Sequence, residues 1–162
     1  MRSWILVCVL AFGCGGSSRL TRGDFEIAWS RYEMKTASHR GHEVGLRVPT
    51  ADAVPVTMTR DQWLADHVGI DSLERRESVL SIPPRLTLAP RTITSFTVPA
   101  GAVQSIEHTG RATRAYWTIN RPTGSDGSVS SKLILVAERP GVSRLDLVTS
   151  IGETRSIEVV VK

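Results

Sequence analysis

The sequence predicts a mainly β protein, with an antiparallel β-sandwich over residues 81–162 preceded by a small mixed α/β segment over 19–80. Three observations predict it. Short runs rich in β-branched residues recur through the C-terminal half with turn residues between them. Thr113, Ala115, Trp117 and Ile119 alternate with Arg114, Tyr116, Thr118 and Asn120, the period of a strand with two different faces. Lys132-Leu133-Ile134-Leu135-Val136 is apolar at both parities and so belongs inside a sheet that is covered on both sides.

The elements follow in order. Residues 1–18 form a leader: Arg2, an apolar run from Trp4 to Phe12, then Gly13-Cys14-Gly15-Gly16-Ser17-Ser18. A positive start, a short apolar core and a small residue before the break have the form of an export signal, and this run is too short to cross a bilayer. Leu10-Ala11-Phe12-Gly13-Cys14 resembles a bacterial lipobox, which implies acylation of Cys14 and a lipid anchor in the cell envelope, at the outer membrane facing the periplasm. Gly15-Gly16-Ser17-Ser18 then reads as a flexible tether. Ala11-Phe12-Gly13 also suits ordinary signal peptidase, which would release a soluble secreted protein.

Residues 19–80 are mixed. Phe25, Ile27 and Trp29 alternate as in a strand, although the run through Met34 also fits a helix. Thr59-Arg60-Asp61-Gln62 fits a capping box, in which the threonine hydroxyl accepts an early backbone N–H and the glutamine reaches back to the cap. Trp63, Leu64 and Val68 would share one face of that helix, and Gly69 followed by Ile70 suits its end. Asp71-Ser72-Leu73-Glu74 repeats the capping pattern. Ile82-Pro83-Pro84 ends the region, because paired prolines hold the chain extended.

Strands are predicted over 85–89, 92–98, 103–107, 113–119, 132–138, 143–149 and 153–161. Between them lie Ala89-Pro90, Pro99-Ala100-Gly101, Gly110, the polar stretch 123–128, Arg139-Pro140-Gly141 and Ile151-Gly152. Trp117 is predicted to anchor the core. In the last strand Ile157, Val159 and Val161 alternate with Ser156, Glu158 and Val160, a half-buried pattern.

Leu135 through Leu147, including Arg139-Pro140-Gly141-Val142-Ser143, then Gly152 and Ile157-Glu158-Val159-Val160-Val161, resembles the closing half of bacterial immunoglobulin-like modules. It is especially similar to the small β-domain at the N-terminus of pilus-assembly secretins. Leu86-Thr87-Leu88 and Phe96-Thr97-Val98 fall where the opening strands of that domain would be. The family usually has a glycine soon after its first strand, where this chain has Ala89-Pro90-Arg91-Thr92, and no pore-forming region follows here. The resemblance implies an Ig-like sandwich used for protein contact, with no catalytic residues to transfer. Thr109-Gly110 and Tyr116-Trp117 are similar to the threonine-glycine-aromatic loop of chagasin-type inhibitors of cysteine proteases, which implies protease inhibition as a rival role.

Charge and cysteine usage narrow the function. The two cysteines, Cys8 and Cys14, both lie in the leader, so the body has no disulfide, thiol nucleophile or cysteine metal site of its own. Residues 19–78 carry nine Lys+Arg against ten Asp+Glu, and residues 79–162 carry ten against six. A mildly basic exported domain suits anionic lipid, glycan or an acidic partner, and the compartment excludes nucleic acid. Ser38-His39-Arg40-Gly41-His42-Glu43 is the one histidine pair. Gly41 breaks any helix that would align the imidazoles as metal ligands, so the stretch reads as a polar loop, and neither metal nor cofactor is expected. His67 reads as an interfacial side chain near Trp63, and His108 as a turn residue. No serine elbow advertises a hydrolase. Arg111, Arg114 and Tyr116 are the candidate partner-binding residues, because a cation beside an exposed aromatic is a frequent make-up for contact hot spots. The reading that follows is a non-catalytic binding or scaffolding lipoprotein that contacts another envelope protein. The rival is a secreted hydrolase that uses His39, His42 or His67.

Overall fold

A computed structural model describes residues 16–39, 41–67, 78–120 and 130–162. The chain forms β1 (Ser18–Arg19), β2 (Arg22–Gly23), β3 (Glu26–Trp29), β4 (Tyr32–His39), β5 (His42–Pro49), β6 (Pro55–Met58) and the helix α1 (Arg60–His67). A 3-10 turn at Val79–Ser81 follows. Then come β7 (Arg85–Leu88), β8 (Thr92–Val98), β9 (Val103–Gly110), β10 (Thr113–Asn120), β11 (Ser130–Ala137), β12 (Gly141–Thr149) and β13 (Thr154–Val161). The mainly β class expected from sequence is the one observed.

Strands β7 to β13 build a sandwich of two sheets. One runs β1-β9-β12-β13-β7 and the other β2-β10-β11-β8. The order β8-β11-β10 facing β9-β12-β13 is that of immunoglobulin-type sandwiches. Two pairings depart from the antiparallel rule, since β7 lies parallel to β13 and β2 parallel to β10.

The core between the sheets follows from strand parity. Leu133 and Leu135 of β11, Leu145 and Leu147 of β12, and Ile157 and Val159 of β13 are fully enclosed, with Phe96, Ile106 and Trp117 among them. Trp117 is the core anchor expected, and its indole N–H donates to Ser131 Oγ at 2.8 Å. Ile82 belongs to this core rather than to a linker. Arg155 fastens the turn before it by donating to the carbonyls of Leu80 and Ile82.

Strand β11 is apolar on both faces because both are covered. On its outer face Ile134 and Val136 are buried against Ile27, with Phe25, Trp29, Ile93 and Tyr116 alongside. Glu26–Trp29 is therefore a strand over an apolar sheet face, with Phe25 beside it, rather than part of a helix. The outer face of the other sheet carries Arg144, Asp146 and Ser156, linked by hydrogen bonds, and Glu158, paired with Arg85 at 3.2 Å. Asp146 stays below the usual carboxylate range: burial pushes its pKa up, but hydrogen bonds from Ser156 and Arg144 outweigh that.

Helix α1 begins at the expected capping box. Gln62 N–H donates to Thr59 Oγ1 at 3.3 Å, and Thr59 N–H donates to Gln62 Oε1 at 3.0 Å. Trp63 lies over the Lys132 ammonium, 5.5 Å from ring centroid to nitrogen, and that lysine faces Glu26 at 3.9 Å with both side chains largely buried. The expected helix stop at Gly69, the second cap at Asp71 to Glu74 and the polar stretch 123–128 lie outside the described residues.

The sequence boundaries at 18/19 and 80/81 do not separate independent layers. Ser18 pairs with His108 and Arg19 with Glu107, Leu20 packs on the sandwich core, and β2 extends the opposite sheet. Ser17 and Ser18 are thus held by the fold instead of forming tether. Ser18 is held by its backbone pairing with His108 and Ser17 by its hydroxyl on Glu107, while Leu20 is drawn against the core.

Candidate functional site

The hairpin β4–β5 forms a two-stranded sheet of its own, separate from the two sheets of the sandwich. Its strands pair only with each other, from Tyr32 opposite Pro49 to His39 opposite His42. Eight residues per strand give an arm about 26 Å long at roughly 3.3 Å per residue. At the reversal between the strands Gly41 takes φ 81°, a left-handed conformation that suits a tight hairpin turn.

Parity divides the arm into two faces. One carries Tyr32, Met34, Thr36 and Ser38 with Arg47 and Gly45 across from them. The Arg47 guanidinium lies 4.2 Å over the Tyr32 ring, a cation–π contact that stiffens the base of the arm. Met34 folds toward Gly45, where a Cβ would sit 3.2 Å from its terminal methyl, and it remains 53% exposed. The other face carries Glu33, Lys35 and Ala37, with the Lys35 ammonium 3.9 Å from Glu33 in an exposed pair.

The root of the arm is clamped. Ser30 N–H donates to the Val54 carbonyl at 2.9 Å, Ala53 N–H donates to the Thr50 carbonyl at 3.1 Å, and Arg31 pairs with Asp52. The Thr50 hydroxyl, followed by the Asp52 backbone and the Arg31 guanidinium, holds the Asp52 carboxyl below its usual range. Arg91 ties this root to the sandwich. It sits at φ 58°, donates its own N–H to the Ala137 carbonyl at 2.7 Å, and donates from its guanidinium to Thr50 O at 2.5 Å and Ala53 O at 3.1 Å. The same group lies 5.4 Å over Trp29.

The three residues singled out from sequence are placed differently from one another. Arg111 is exposed in the β9–β10 turn, where its carbonyl accepts from Arg139 Nε at 2.9 Å. Arg114 is engaged by Glu138, which accepts from Nε at 2.6 Å and from a terminal nitrogen; that pairing, with a lesser contribution from Tyr116, raises the guanidinium pKa further. Tyr116 does not stand open beside it. Phe25 meets its ring edge-on at 6.1 Å, because the N-terminal segment covers the outer face of this sheet. Tyr116 nevertheless touches the Arg114 guanidinium through its side chain, so the expected cation and aromatic are adjacent, the cation bound to Glu138 and the ring partly covered by Phe25.

Histidines are distributed rather than gathered. His42 is exposed at the tip of the arm opposite His39, His67 ends α1, and His108 lies inside the sandwich. Among the described residues no three metal-type side chains cluster. His108 is a strand residue, not a turn residue: β9 continues to Gly110, which keeps it on the inward parity of Ile106. Its Nε2 lies 3.0 Å from Thr113 Oγ1, and burial pushes its pKa below the ordinary value. Cys14 lies outside the described residues.

The arm was missed from sequence because residues 38–43 read as a polar loop. The available signal was the Arg40-Gly41 pair between two runs with strand-like alternation, Tyr32-Glu33-Met34-Lys35 and Val44-Gly45-Leu46-Arg47-Val48. No family model, curated protein or solved structure matches this chain.

Proposed function

We propose that this protein is a non-catalytic binding module of the bacterial envelope, anchored by a lipid on Cys14 at the outer membrane facing the periplasm, that engages another envelope protein through the β4–β5 arm. The observation that carries the reading is the arm itself. A two-stranded sheet is marginal in water when nothing packs against it, yet here eight-residue strands are held out from the core by a clamped root. Each strand has one edge that bonds no other described strand. Such an edge offers N–H and C=O groups to an extended segment of a partner, a recognition mode in which the backbone supplies affinity and alternate side chains supply selectivity. The mixed charges of Glu33, Lys35, His42 and Glu43 favour backbone recognition over attraction to a strongly charged partner. The likeness of 135–161 to the secretin N-terminal module supports a contact role as well.

The test is a photo-crosslinking residue placed at Thr36 in the arm and, separately, at Thr87 on β7, in cells that make the full chain. A discrete protein adduct from Thr36 and none from Thr87 is expected. Adducts of equal yield at both sites, or none from Thr36, would overturn the arm as the contact. Anchorage is tested separately by Cys14→Ser, which should move the protein from the membrane to the soluble fraction.

A further inference from the structure

The chain enters the sandwich at one particular end. Because β1 runs antiparallel to β9 with Ser18 opposite His108, Ser17 and Gly16 before it point toward Gly110 and the turn that joins β9 to β10. Ser17 is held there by donating its hydroxyl to Glu107 at 3.2 Å. Cys14 is three residues earlier, so a lipid on it is kept within about 11 Å of Ser17, at no more than 3.6 Å per residue.

The same end is basic. Arg111 occupies the β9–β10 turn, Arg139 occupies the β11–β12 turn and bonds to the Arg111 carbonyl, and Lys162 follows β13 with its N–H on the Leu88 carbonyl at 3.1 Å. All three are exposed. Of the acids nearby, Glu138 is paired with Arg114 and Asp52 with Arg31, and Glu107 accepts from the Ser17 hydroxyl, which leaves the three cations in excess at this end. Exposed Pro140 and Val142, the latter 55% exposed, stand among the cations and add a small apolar tip. The tether, at most about 11 Å, is comparable with the screening length of about 10 Å at 0.1 M salt, so these charges remain within reach of the surface to which the lipid is attached.

We propose that this end of the sandwich, presenting Arg111, Arg139 and Lys162, rests on the anionic phospholipid headgroups of the anchoring membrane and sets the orientation of the body above it. The proposal rests on the lipid-anchor reading and commits to a membrane surface as the occupant. Each cation should strengthen the surface contact about fivefold in a bilayer rich in anionic lipid.

The experiment uses the full chain made in a bacterium and purified from its membranes, with a fluorophore on Val142→Cys in one preparation and on Ile151→Cys, at the far end of β12, in another. Each is reconstituted into vesicles of phosphatidylethanolamine and phosphatidylglycerol that contain a headgroup-linked quencher. Mass spectrometry of each preparation reports acylation of Cys14. Quenching several-fold stronger at position 142 than at 151, abolished by Arg111→Glu with Arg139→Glu and by phosphatidylcholine-only vesicles, is expected. Equal quenching at both positions in acylated protein would overturn the orientation and leave the anchor intact. An unacylated Cys14 would overturn the anchor reading and this proposal with it. Far-ultraviolet circular dichroism of the charge-reversed protein guards against unfolding, since both arginines lie in exposed turns.

Discussion

Burial sets the protonation behaviour of His108. Its imidazole is enclosed between the sheets against the Thr113 hydroxyl, and desolvation lowers its pKa below 6.5. Above 6.5 the ring is neutral in both folded and unfolded chains, so the native contact is fully retained. As pH falls below that value the unfolded chain takes up a proton first, and stability drops until the folded-state pKa is passed. Urea midpoints should therefore fall between pH 7.5 and pH 5.5, and His108→Gln, which keeps a partner for Thr113 and removes the titration, should flatten that dependence. A second residue-level prediction concerns Lys132 and Glu26, which face each other at 3.9 Å beneath Trp63. Lys132→Ala leaves a carboxylate in a nearly closed site and should cost about 3 kcal/mol, while Lys132→Ala with Glu26→Ala should cost less than the sum of the single changes. Chemical denaturation of the four proteins measures that coupling. Neither site was legible as such in the sequence. His108 precedes Thr109-Gly110, a turn signal, and nothing in the order of residues says that β3 will lay Glu26 over β11.

At the level of elements, stability is unevenly divided. Strands β11 and β12 are flanked by paired neighbours and pack side chains into the core, whereas β4 and β5 have each other and a clamped root. Amide exchange in the arm should therefore be faster than in β11 and β12 by several orders of magnitude at neutral pH, because opening the arm does not require the core to open. Arg91→Ala removes both guanidinium bonds to the root and the contact with Trp29. It should accelerate exchange at Thr50 to Val54 while leaving that of β12 unchanged. This division also explains which elements could be read in advance. The sandwich strands were found to within a few residues, because a buried face imposes apolar parity on the sequence: Leu145 and Leu147, or Ile157 and Val159, cannot be shifted by one position without being exposed. The helix start was readable because its cap is chemical, a threonine and a glutamine three residues apart. None of the described side chains of the arm is fully buried, so burial imprints little pattern there, and Glu33, Lys35, Ser38 and His42 resemble loop composition even though the two strands pair along their length.

The whole molecule is closed by its first described residues. Two sheets built from β7 to β13 alone would leave β9 and β10 as open edges on the same side of the sandwich. The segment from Ser18 to Gly23 covers part of each, placing β1 antiparallel on β9 and β2 parallel on β10, with Leu20 inserted toward the core between them. The Arg22 guanidinium, 5.8 Å from the centroid of the Trp117 ring, adds a further contact to this strap. An exposed strand edge is a template for intermolecular pairing, and β9 and β10 are long enough to serve as one. A protein beginning at Asp24 should thus retain the sandwich but self-associate, seen as concentration-dependent growth in light scattering with a preserved β-type circular dichroism spectrum. Leu20→Asp should reproduce the effect in the full-length body by making insertion of the strap unfavourable. If both proteins stay monomeric with unchanged unfolding midpoints, the strap contributes no closure. Under the anchor reading the strap has a mechanical role as well: it leaves the fold along the direction of β1, so a pull from the membrane loads the β1–β9 hydrogen bonds together rather than one at a time. Leu20→Asp, which releases the strap and keeps Cys14, should then also increase the rotational freedom of the anchored body, measurable as lower fluorescence anisotropy of a label at position 151.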